Sequence, residues 1–308
     1  MIRSGNNRSV PELKKLWKEC FADEDAYIDA FFEAMYEDQS VLLEEENGVL
    51  LGASFFLPGK IRINQPQETS LQGRKESQEG DTQDHGKWQQ IRYVYALAVY
   101  PQYRGRGVAA KLLHSAQEIY QTPLIAEPAQ ESLVGGFYKP LGFQENFYLI
   151  KKQILLPEYD VQAAALPGTD TAWIPVPAEE YCSIRDQWFK TQGYISWPVR
   201  HVAFAIKEHH SSGGGAFVMR RDGREDLMMY FQEGRKAVVT ETTLTQEEAE
   251  EWILPQMAGR CSQVIFTSPA IMADNPGKSG YLSGCGRCLT GMSLGLPSLH
   301  GYLNLSLD

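Results

Sequence analysis

Apolar positions along this chain change period several times, and the changes mark out its elements. Ile2-Arg3 makes a short first strand. Leu13, Leu16, Trp17 and Cys20 then recur at helical spacing behind Ser9-Val10-Pro11-Glu12, which has the form of a capping box with proline near the helix start. A second amphipathic helix runs over 27–35, with Tyr27, Ile28, Phe31, Phe32 and Met35 on its apolar face. Val41-Leu42-Leu43 and 49–57 are strands joined at Asn47-Gly48, a hairpin signal because both turn residues accept positive φ. Pro58-Gly59 punctuates the second of them, and 60–63 resumes it. Asn64 to Gln90 is almost free of aliphatic residues and reads as a long polar excursion, either a cover over a binding site or a plain surface loop.

The stretch 91–120 carries the chemistry. Tyr93, Val94, Tyr95, Ala96, Leu97, Ala98 and Val99 form an apolar run that suits a strand buried on both faces, and Pro101 ends it. Arg104-Gly105-Arg106-Gly107-Val108-Ala109 follows. Val108, Leu112, Leu113, Ala116 and Ile119 then repeat at helical spacing. A strand, a glycine-bearing turn and a helix in that order suit a diphosphate. The first N–H groups of a helix lack partners and carry the positive end of its dipole, while glycines keep Cβ atoms away from the anion. Arg104 and Arg106 add positive charge. The dinucleotide fingerprint fails because Ala110 stands where its third glycine belongs. The triphosphate P-loop fails because Met272 replaces the first glycine ahead of Gly277-Lys278-Ser279.

Downstream, 124–126 reads as a strand between Pro123 and Pro128, 132–139 as a helix weakened by Gly135-Gly136, and 143–150 as a strand after a closing Gly142. The segment 157–177 looks like a linker. Beyond it lie helices at 179–189 and 199–206, strands at 216–219, 227–231 and 237–240, a helix at 245–257 opened by a Thr-x-x-Glu capping box, and a strand at 264–267. That order repeats the first half. Two domains follow, 1–152 and 153–308, both α/β with a mixed sheet.

At 308 residues with 43% hydrophobic and 22% charged side chains, the composition is that of a globular protein large enough for two cores. No apolar run reaches the roughly 20 residues of a bilayer span, and no secretory leader stands at the start. A membrane is not an expected partner. Five cysteines without a framework pattern fit a reducing cytoplasm. The net charge of −10 is spread over both halves, and no Lys/Arg-rich face suggests nucleic acid. Cys285-Gly-Arg-Cys288 has no second cysteine pair to complete a zinc site, so no metal is expected. His209-His210 reads as part of a solvated turn.

The stretch around the glycine turn resembles the acetyl-CoA-binding motif of the GCN5-related N-acetyltransferases. Leu97-Ala98-Val99-Tyr100-Pro101 matches its strand end, Arg104-x-x-Gly107-x-Ala109 its loop, and Phe137-Tyr138-Lys139-Pro140-Leu141-Gly142-Phe143 its FYxxxGF segment. The resemblance covers roughly 1–152. It implies this fold for the first half and, from the repeated order, a degenerate copy without the loop in the second, as in a branch resembling the enhanced-intracellular-survival aminoglycoside acetyltransferases.

The resemblance also assigns roles. Leu97, Ala98 and Val99 would pair with the pantetheine arm and position the thioester. The N–H groups of Arg104, Gly105, Arg106, Gly107, Val108 and Ala109 would hold the pyrophosphate, and Tyr138 would protonate the leaving thiolate. Two departures stand out: Glu131 occupies the place of a cofactor-touching asparagine, and Tyr93, Tyr95 and Leu97 leave the strand without its usual glutamate base. Glu127, the terminal carboxylate at Asp308, or a base acting through water are the alternatives. In the family the first two helices help form the acceptor pocket, yet aromatic stripes such as that of 27–35 usually pack as core. The expected activity is direct acetyl transfer, in a ternary complex, from acetyl-CoA to an amine on a small molecule or peptide, with a homo-oligomer left open. The other reading is a non-catalytic acyl-CoA-binding or regulatory module.

Overall fold

The computed structural model describes residues 1–64, 86–156, 173–189, 193–269, 285–297 and 303. Strand β1 (Ile2–Ser4) leads through a 3-10 turn to helices α1 (Val10–Phe21) and α2 (Asp25–Met35), then to strands β2 (Val41–Glu46), β3 (Val49–Asn64) and β4 (Gly86–Val99). Helix α3 (Val108–Tyr120), strand β5 (Leu124–Ala126), the short α4 (Glu131–Leu133) and strand β6 (Gln144–Leu155) complete the first half. The second half comprises β7 (Ile174–Pro175), α5 (Ala178–Phe189), β8 (Ile195–Ser196), α6 (Val199–Ser211), β9 (Gly215–Arg221), β10 (Arg224–Glu233) and β11 (Lys236–Thr242). It ends with α7 (Gln246–Trp252), α8 (Leu254–Met257), β12 (Gln263–Pro269) and β13 (Cys285–Leu294).

Thirteen strands form one mixed sheet in the order β1-β2-β3-β4-β5-β13-β6-β12-β11-β10-β9-β7, with β8 beside β3. The order ties the two halves together. Strand β13, from the end of the chain, lies between β5 and β6 and is antiparallel to both, while β6 pairs on its other edge with β12. Helix α3 covers one face of the first half over a core of Leu112, Leu113, Ala116, Phe56 and Met292. Helices α1 and α2 cover the opposite face, where their core runs on without a break into Trp197, Val202 and Phe204 of the second half. Under α7 and α8 a third core gathers Val239, Ile253 and Val264.

Several expectations are corrected. No capping box forms at Ser9, because its hydroxyl is held by Arg3 and Asn6, and the Asn6 carboxamide caps the preceding 3-10 turn instead. Pro58-Gly59 does not interrupt β3. The Arg62 N–H donates to Tyr194 O on the β8 side, so by alternation the Pro58 nitrogen faces the same way, where no strand lies beside it and no donor is missed. Of the polar excursion, 65–85 lies outside the described residues, whereas Gly86 to Gln90 is strand, paired with β3 from Gly86↔Asn64 onward.

The 132–139 helix is replaced by three α residues, a π-helical turn (Val134–Tyr138) and a 3-10 turn (Lys139–Leu141). Two glycines and Pro140 withdraw helix propensity and a backbone donor where a regular helix needs both. His209 and His210 belong to the last turn of α6, and His209 is packed in, with one ring nitrogen on Ala205 O and the other on Thr240 Oγ1. The 245–257 helix does open with its Thr245/Glu248 capping box but breaks at Ile253. Strands β7, β8 and β13 had no sequence expectation, and β7 lies within the presumed linker, of which 157–172 is outside the described residues.

Candidate active site

The site is built on the end of β4. Strand β5 runs parallel to β4 only at Arg92↔Leu124, Tyr93↔Ile125 and Val94↔Ala126, and then Pro128 turns the chain away. From Tyr95 to Val99 the edge of β4 on that side has no strand partner among the described residues. On its other edge β4 carries a bulge: Phe55↔Tyr95 and Ala53↔Ala98 leave one extra residue in β4, and Ala96 takes φ +48° there. Tyr100 N–H donates to Leu51 O, so by the alternation of an antiparallel ladder Val99 turns its N–H and C=O to the open edge, as does Leu97, while Ala98 turns to β3. Half-buried Leu97 and Val99 therefore present backbone groups, and Ala98 serves the sheet.

The turn that follows leaves its amides free for an anion. Gly105 (φ +74°) and Gly107 (φ +75°) adopt left-handed conformations, and a Cβ at either would meet nothing within 4 Å. Lys111 is the first residue of α3 whose N–H finds a carbonyl, that of Gly107 at 3.0 Å. Among the described residues the amides of 105–110 have no hydrogen-bond acceptor, and no side chain caps the helix. The positive end of a thirteen-residue helix thus opens beside the free edge of β4. Val108 is buried at the helix start, and Ala109 is half-buried behind it.

Both arginines of the turn have partners. Arg104 folds back so that its Nε donates to Val99 O at 3.1 Å, an oxygen that also accepts from Cys20 Sγ at 3.5 Å. Arg106 pairs with Glu46 at 2.9 Å and lies over the Tyr103 ring.

Tyr138 is 6% exposed and belongs to the same apolar cluster as Val94, Leu97, Val99 and Val108, with Phe137 and Phe143 edge-on at 5.0 and 5.2 Å between ring centroids. Burial raises its phenol pKa to about 12, so it holds its proton through neutral pH. The π-helical turn brings Tyr138 inward and leaves Gly135 and Gly136 exposed. Glu127 is half-buried one residue past β5, Glu131 is exposed at the start of α4, and Asp308 lies outside the described residues. Cys288 is half-buried in β13, and nothing is described of the Cys285 side chain.

The bulge was not among the sequence expectations. Tyr93 and Tyr95 pack on the α1–α2 face, whereas Leu97 and Val99 pack on the α3 face, so the face occupied by odd-numbered residues switches between 95 and 97. A run that is apolar on both faces hides such a switch. The second half has the same irregularity in β11, where Tyr230↔Val239 and Met229↔Glu241 leave Thr240 as the extra residue. There Thr267 Oγ1 reaches both Val239 O (3.0 Å) and Thr240 O (2.6 Å), and no glycine turn precedes α7.

Residues 74–145 match the family model described as acetyltransferase (GNAT) domain. Among solved structures, a GCN5-related N-acetyltransferase from Anabaena variabilis ATCC 29413 is 13% identical with a TM-score of 0.68, over 95% of this chain and 72% of that one. One from Kribbella flavida is 12% identical with a TM-score of 0.63, over 95% and 70%. Eis1 from Mycobacterium abscessus is 11% identical with a TM-score of 0.55, over 95% and 73%. No curated protein sequence matches. The central segment is thus an acetyltransferase (GNAT) domain, and the chain has the fold of the GCN5-related N-acetyltransferases.

Proposed function

We propose that the protein transfers an acetyl group directly from acetyl-CoA to a primary amine, borne by a small molecule or a peptide, within a ternary complex. The observation that carries this reading is the free β4 edge at Leu97 and Val99 lying next to unpaired amides at 105–110. An extended pantetheine arm adds to such an edge as a strand does, and a diphosphate fits the helix start. Gly105 and Gly107 leave room for it. Arg104 would have to leave Val99 O as the arm arrives, which frees its charge for the phosphates.

In the reaction the amine nitrogen attacks the thioester carbon, the C–S bond breaks, and the acetyl group ends as an amide. Backbone groups at the bulge hold the carbonyl. The Tyr138 phenol gives its proton to the departing thiolate and recovers one that the amine sheds through water. The absence of a carboxylate at Tyr93, Tyr95 and Leu97 favours the second reading, an acyl-CoA-binding module without turnover. Calorimetry with acetyl-CoA, followed by thiol release over an amine panel, separates the two. Binding with turnover supports the transferase, binding alone supports the module, and no binding removes both.

A further inference from the structure

Resting on the acetyl-transfer reading, we infer that the acceptor binds in an aromatic notch on the α1–α2 face of β4, walled by Tyr95, Tyr27 and Trp17 with Asp23 at its rim. The acceptor is accordingly an amine carried on an aromatic or apolar body. A thioester laid along the free edge beside Ala96 has two sides. The α3 side is filled by Val108, Phe137 and Tyr138, so an incoming nucleophile has only the other. Tyr95, the residue before the bulge, is half-buried there, and its hydroxyl meets that of Tyr27 at 2.7 Å. Rings crowd behind the pair. Tyr95 lies 5.6 Å from Trp17 and 5.2 Å from Phe31, and Tyr27 lies 5.8 Å from Phe204 of the second half.

Such walls favour aromatic and apolar groups and attract a cation to their faces. One carboxylate stands at the indole edge: Trp17 Nε1 donates to Asp23 Oδ2 at 2.7 Å, and Asp23 is half-buried. It draws in an ammonium. The neighbouring acids Asp25 and Asp29 are engaged by Lys18 and Lys14, so the notch matches one positive charge on an apolar body better than a string of charges. The paired hydroxyls of Tyr27 and Tyr95, at the mouth beside the bulge, orient the attacking nitrogen by hydrogen bonding.

The test uses the full chain with 2-phenylethylamine, spermidine and kanamycin as acceptors. The expected result is a kcat/KM for 2-phenylethylamine about tenfold or more above the other two, with Tyr27→Phe and Tyr95→Phe each raising the amine KM about tenfold. Their dissociation constant for acetyl-CoA and their melting temperature stay at the wild-type values, which a purely packing role for the rings does not require. Preference for spermidine or kanamycin, or an unmoved amine KM in both variants, overturns the inference and leaves acetyl transfer standing. Failure to bind acetyl-CoA removes both together.

Discussion

The phenol of Tyr138 and the backbone of Gly107 are the two residues whose replacement tests the chemistry most cleanly. Tyr138→Phe keeps the ring among Phe137 and Phe143 and removes only the proton donor, so kcat falls about 10²-fold while the KM for acetyl-CoA stays put. Steady-state kinetics checks it, and an unchanged kcat removes the assigned role. At Gly107 the φ of +75° is costly for a side chain, and Val adds bulk where the anion would sit. Gly107→Val therefore costs about 1–2 kcal/mol of stability in a urea titration and weakens acetyl-CoA binding at least tenfold by calorimetry. Glycines and the tyrosine were legible because residue type alone constrains them. The partners of Arg104 and Arg106 were not, since Val99 O and Glu46 come from neighbouring strand ends that only the folded sheet brings near.

At the scale of elements, hydrophobic period recovered the long helices and the central strands, and it failed where neighbours decide. The 132–139 helix broke into π and 3-10 turns, β3 ran through Pro58, and β13 went unseen although it fills the gap between β5 and β6. Its glycines and polar residues look like loop until two strands flank them. The helix start at Thr245 was legible, and it makes a pH prediction. Although desolvation opposes ionisation of Glu248, the Thr245 N–H, Arg224 and Arg221 outweigh it and hold the pKa at about 2, below its model-compound value of 4.5. A lowered folded pKa stabilises the chain above pH 4.5, and that contribution is lost as the pH falls towards 2. In acid titrations followed by circular dichroism, Glu248→Gln is less stable than the wild type at pH 6, and the gap narrows below pH 4. A gap that is constant with pH contradicts the assignment.

The whole molecule is joined more closely than a boundary at 152 implies. Strand β13 crosses into the first half, Met292 on it is fully buried in the cluster that holds Tyr138, and α6 packs against α2 while Arg200 pairs with Glu37. The full chain should unfold in urea as one transition by both near- and far-ultraviolet circular dichroism, and Met292→Ala should lower its stability by about 2–5 kcal/mol without splitting it. Two separate transitions would show halves that fold independently. The clefts of the two halves differ at one point: the free edge of β4 is bordered by unpaired amides, whereas in β11 the corresponding carbonyls are held by Thr267. Amide hydrogen exchange with and without acetyl-CoA tests this difference directly. The account predicts slowed exchange at Leu97, Val99 and 105–110 with none along β11, whereas protection absent from those amides, or appearing at Val239 and Thr240 instead, would contradict it.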